Sequence, residues 1–141
     1  MILESVSLLP LNKYQEQKDK IPRALGWWWL ETPVVSKNLV YAINGPDLIR
    51  LNPRSYCGVR PYCAFALEMS DAEFWIKPGA LIGLTFNYKG FDWTILNAED
   101  SKVFALCAQV VTECVFDGRS TQWAGSAVQA WLNTDFFKYL K

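Results

Sequence analysis

Enzymatic chemistry needs a nucleophile, a base or a metal-ligating cluster, and the side chains able to supply these are few in this chain. None of its 141 residues is histidine. That removes the commonest general base, the commonest metal ligand and the side chain that switches charge near neutral pH. Four cysteines, Cys57, Cys63, Cys107 and Cys114, stand in C-x5-C and C-x6-C spacings, which fit neither a zinc knuckle nor a CxxC redox pair. With no imidazole to take its proton, a thiol nucleophile lacks its usual activator. The four are read as small buried hydrophobes in a reducing compartment. Were Cys57, just ahead of the candidate strand Gly58–Leu67, to share that strand with Cys63, the two would be too far apart along it to be bridged, while a cross-pair such as Cys63–Cys107 stays open. Two carboxylate pairs, Asp71 with Glu73 and Glu99 with Asp100, fall in turns, where water solvates them. Asn87, Asp92 and Asp117 carry oxygens suited to Ca²⁺, yet no loop has the dense Asp/Asn spacing of a calcium loop. The expectation is a chain with no catalytic residues, no metal and no cofactor.

Composition points to a packed globular protein. Hydrophobic residues make up 51% and aromatic residues 15% of the chain. One domain of this length buries about two-thirds of its unfolded surface. Fourteen basic side chains balance fourteen acidic ones. That balance argues against binding nucleic acid through a basic patch and equally against an acidic nucleic-acid mimic. No stretch reaches the ~20 apolar residues of a membrane helix, and Met1-Ile2-Leu3-Glu4 does not begin like a signal peptide. A cytoplasmic protein of a bacterial host, away from membranes, is expected.

The elements that would hold any site are organised around Gly26-Trp27-Trp28-Trp29-Leu30-Glu31-Thr32-Pro33. In an extended strand Trp28 faces one way and Trp27 and Trp29 the other, so the strand is covered on both faces or covered on one and used for binding on the other. Before it come a strand over Ile2–Leu9 and a short helix over Leu11–Lys20, begun by Pro10 and ended by Pro22. After it, Asn38–Ile43 and Leu48–Leu51 form a hairpin around Asn44-Gly45-Pro46-Asp47. Gly58–Leu67 reads as a long strand whose Pro61 demands an edge or a bulge. Glu68–Pro78 changes texture and reads as a linker between halves 1–70 and 79–141 of a single domain. Strands follow over Ala80–Asn87 and Phe91–Leu96, then 102–108 and 110–116. In the second of these, Phe91, Trp93 and Ile95 share one face. Ser126 and Gln129 form a capping box, and Val128, Trp131, Leu132, Phe136, Tyr139 and Leu140 follow at helical spacing. The predicted class is α+β, mainly antiparallel twisted sheet with two peripheral helices.

Trp28-Trp29-Leu30-Glu31-Thr32-Pro33, Gly58-Val59-Arg60-Pro61 and the stretch holding Trp123, Ser126, Val128 and Trp131-Leu132-Asn133 together resemble an uncharacterised bacterial and phage domain family. Its hallmarks are a W-W-L-R-S-P box, a G-V-R-P strand and a W-x-x-S…W-L-N helix. The resemblance covers most of the chain. It implies a C-type-lectin-like fold, related to formylglycine-generating-enzyme-like domains, with a variable binding surface on loops beside the core sheet. The boxes here precede the helix, the reverse of the commoner order. That implies a circularly permuted domain with its termini close in space. Glu31 stands where the family has Arg and Thr32 where it has Ser.

For the tryptophan triplet, core packing is favoured over an aromatic platform for a glycan or a protein. Arg60 is expected to be buried and paired with a carboxylate, with Glu31 the attractive partner. The favoured function is a non-catalytic protein-binding module of phage or mobile-element origin. It would inhibit a host defence complex, such as a CRISPR effector, by covering a functional surface. The alternative is a ligand- or glycan-binding lectin-like display domain. Binding is expected through exposed aromatic and arginine side chains on loops, namely Arg54, Tyr56, Trp75, Arg119 and Trp123. The partner would be a host or phage protein.

Overall fold

The computed structural model describes residues 1–68, 70–71, 78–99 and 101–140. Within them the chain is α+β, with ten strands in two five-stranded sheets. The strands are β1 (Ile2–Ser7), β2 (Trp28–Pro33), β3 (Val40–Asn44), β4 (Asp47–Leu51), β5 (Tyr56–Val59), β6 (Tyr62–Ala66), β7 (Thr85–Tyr88), β8 (Phe91–Glu99), β9 (Lys102–Cys107) and β10 (Thr112–Val115). Helix α1 (Leu11–Gln17) runs into a 3-10 turn (Lys18–Lys20), and α2 (Pro78–Leu81) is a single turn. At the end of the chain α3 (Ala127–Trp131), a π-helical turn (Leu132–Phe136) and α4 (Phe137–Leu140) follow one another without a break. None of the described helices is long and apolar enough to cross a membrane.

Sheet I has the order β1-β6-β9-β8-β7 and is antiparallel throughout. Sheet II has the order β10-β5-β2-β3-β4 and is antiparallel except where β2 meets β5 in parallel, Trp28 opposite Gly58. Each sheet takes strands from both sides of the 68–78 stretch. Most of that stretch, including Trp75 and Glu73, lies outside the described residues, as does Asp100.

Burial on both faces explains why the strands are so apolar. Trp29, Ala42, Cys57 and Val59 of sheet II join Cys63, Phe65, Trp93 and Ile95 of sheet I in one core, closed by Val128, Leu132 and Leu140 of the last helix. Their neighbours in sequence point the other way. Trp28, Leu30 and Ile43 of sheet II and Tyr62, Leu96 and Leu106 of sheet I form a second core, against which Leu11, Tyr14 and Ile21 pack. The tryptophan strand therefore feeds both cores. Trp29 donates its indole N–H to the Cys114 carbonyl at 3.0 Å and meets Phe116 edge-on at 5.5 Å between ring centres. Trp27 lies just before the strand and stays 47% exposed.

Three expectations need correction. Gly58–Leu67 is not one strand. The chain leaves sheet II after Val59, passes through Arg60–Pro61 and enters sheet I at Tyr62. Pro61 sits at this crossing rather than at an edge or a bulge, where its missing N–H breaks no ladder bond and its carbonyl accepts from Cys107 N–H at 2.9 Å. Consequently Cys57 and Cys63 belong to different sheets, and Cys57 lies directly opposite Cys114. All four cysteines are free thiols. Finally, Ala80–Asn87 is not all strand. Residues 78–81 make the helical turn α2, and β7 starts only at Thr85.

Candidate functional site

Loops 52–57 and 117–123 are distant in sequence but meet in space. β5 and β10 pair with Tyr56 opposite Val115, so the loop before one strand adjoins the loop after the other. The carbonyl of the buried Pro53 accepts from Phe116 N–H at 2.9 Å and from Asp117 N–H at 3.1 Å. Each loop is also braced from within. Asn52 Oδ1 accepts from Arg54 N–H at 2.9 Å. Asp117 Oδ2 accepts from the backbone N–H groups of Arg119 at 3.0 Å and Ser120 at 2.8 Å, and its Oδ1 accepts from Ala127 N–H at 3.0 Å. These donors hold the Asp117 carboxyl below its ordinary value. Asp117 is thus a structural brace for its own loop. Asn87 Nδ2 in turn donates to Asp92 Oδ1 at 3.2 Å across β7 and β8.

On this braced corner Tyr56 is the first residue of β5 and is 75% exposed. Arg54 and Arg119 are exposed in the two joined loops. Trp123 belongs to the same corner but turns partly inward, its ring 6.5 Å from that of Phe116, so it supports the loop more than it presents itself. Four of the five residues singled out in the sequence therefore belong to two loops joined through Pro53, and Trp75 lies outside the described residues.

Arg60 is fully buried, as expected, but its partners are not those expected. Nε donates to the Cys107 carbonyl at 2.6 Å, and Nη2 donates to the carbonyls of Pro22 at 2.8 Å and Ala108 at 3.5 Å. Its guanidinium carbon sits 4.8 Å above the Trp28 ring. Among the described residues the acceptors of Arg60 are neutral carbonyls, and no fork to Glu31 forms. Desolvation brings the guanidinium pKa down to about 10. Glu31 is partly buried, and desolvation raises its carboxyl above the ordinary value. Desolvation also keeps the thiols protonated, that of Cys57 up to about 12.

No family model, curated protein or solved structure matches the chain. The site is therefore read from its own geometry. Leu25, not singled out from the sequence, and Trp27, expected to pack in the core with the rest of the triplet, add exposed apolar surface just before β2. The opening of the tryptophan run was the available signal, since residues ahead of a strand escape the alternation that buries those within it.

Proposed function

We propose that the chain is a non-catalytic protein-binding module whose contact surface is the corner formed by Arg54, Tyr56 and Arg119, supported by Trp123. The observation that carries this reading is the double acceptance at Pro53, which locks two loops into one surface around an exposed tyrosine. Tyrosine and arginine are the side chains that most often anchor protein interfaces, and a pre-formed corner loses little entropy on binding. Such a module acts by covering a functional surface of its partner. In its narrower form the proposal is a module of phage or mobile-element origin that inhibits a host defence complex, such as a CRISPR effector, by occlusion.

The test is affinity capture from bacterial lysate with the immobilised chain. A single stoichiometric protein partner is expected. A Tyr56→Ala/Arg119→Ala double variant with an unchanged melting temperature should lose it. Retention on a glycan array with no protein captured would instead support the lectin-like display domain and overturn this reading.

A further inference from the structure

Beyond the last residue of β5, away from Tyr56 at its start, the fold holds an open cleft of about 320 Å³. Tyr14, Lys18, Asp19 and Arg23 line it from the α1 side, Pro46 from the β3–β4 turn, and Trp28 and Arg60 from beneath. The lining holds three cationic side chains, Lys18, Arg23 and Arg60, and one carboxylate, Asp19, with Asp47 near enough to act on Tyr14. Arg60 is the anomaly. It is a buried cation whose hydrogen-bond acceptors are neutral carbonyls and whose face lies on the Trp28 ring, and its Nη1 is buried without a hydrogen-bond partner among the described residues. A buried charge is costly unless paired, and an orphaned buried donor adds to that cost. A water molecule would satisfy the donor but leave the charge unbalanced. An anion would do both.

We propose that this cleft binds a small oxyanion, the carboxylate or phosphate end of a ligand whose flat or apolar body lies beside Trp28 and Pro46. Arg60 supplies the buried charge, and Lys18 and Arg23 supply attraction at the rim. Nη1 is buried, so an acceptor reaches it only if rim side chains such as Lys18 and Arg23 turn aside. Lys18 and Arg23 are exposed on long stems, and residues 22–24 form no helix or strand. The surface around Tyr56 plays no part, so this site stands whether or not the protein-binding reading does.

The test is an NMR titration of the full chain in low-salt buffer with benzoate, with phenylphosphonate and with neutral benzamide. The cross-peaks followed are the Arg60 Nε–H and the Trp28 indole N–H. Saturable shifts are expected with at least one oxyanion and none with benzamide, and the pattern across the two anions tells carboxylate from phosphate recognition. Lys18→Gln and Arg23→Gln, both at exposed positions that leave the cores intact, should each weaken binding by about two- to fivefold, with the effect shrinking as salt is added. The proposal fails if neither anion moves these peaks at millimolar concentration. It also fails if benzamide moves them equally, or if the two variants bind as tightly as the parent.

Discussion

Arg60 shows how a single side chain can tie together elements that share no strand. Its donors reach carbonyls at Pro22, Cys107 and Ala108, so it fastens the segment before β2 to the end of β9 and the residue after it. Arg60→Ala removes all these donors at once and opens a cavity over the Trp28 ring. We expect a loss of about 3–5 kcal/mol in urea unfolding, while the fraction that stays folded keeps any partner bound at Tyr56. Its burial was legible in the sequence because Arg60 follows an apolar strand. Its partners were not, because carbonyl acceptors leave no mark in side-chain identity. Asp117 makes the opposite case, a brace at the surface. Asp117→Ala leaves the N–H groups of Arg119, Ser120 and Ala127 without their shared acceptor and should cost about 1–2 kcal/mol. The sign of the pH effect follows from its depressed folded-state pKa. The stabilisation is complete above the unfolded-state value and is lost as pH falls through the folded one. Parent and variant should therefore differ most at neutral pH, with the gap narrowing as pH falls below about 4 in thermal melts.

Among the elements, the hairpins were the most legible. Asn44-Gly45-Pro46-Asp47 makes its turn as read, with Asn44 opposite Asp47 and Gly45 at φ +61°. The capping box holds in part. Ser126 Oγ accepts from Gln129 N–H at 3.2 Å, but Gln129 Oε1 reaches back to Gly125 N–H rather than to that of Ser126. The helix then widens into its π turn where Asn133 and Thr134 side chains donate to the carbonyls of Gln129 and Ala130. The β5–β6 joint was hidden because Cys57–Val59 and Tyr62–Phe65 are equally apolar, and nothing in apolarity says which sheet a residue joins. Two substitutions test element geometry. A Cβ on Gly58 would run into the Trp27 carbonyl and come within 2.7 Å of Val110 Cγ1, so Gly58→Ala should force β2 and β5 apart. We expect about 2–3 kcal/mol lost in chemical denaturation. In the β7–β8 turn, Lys89 and Gly90 both have positive φ, a geometry that favours Asn-Gly. Lys89→Asn should stabilise by about 0.5 kcal/mol, a rise of about 1–2 °C in melting temperature.

At the scale of the whole molecule, the α+β class was readable from strand spacing and the two amphipathic helices, whereas the pairing of distant strands was not. Neither half of the chain owns a sheet. β1 and β6 depend on β9, and β5 depends on β10. Fragments 1–70 and 79–141 made separately should therefore lack cooperative melts by circular dichroism, each being left with unpaired edges and half a core. The Arg60–Pro61 crossing has a further consequence in time. It places β5 and β6 in the middle of the sequence and their partners at its ends, Ile2 against Ala66 and Tyr56 against Val115. Long-range pairings of this kind close slowly, which puts folding in the range of milliseconds to seconds rather than microseconds. On a ribosome, β5 and β6 emerge well before β9 and β10. Until β9 and β10 arrive, sheet II lacks its edge strand and sheet I lacks the strand that joins β6 to β8, and both are adhesive along the open edges.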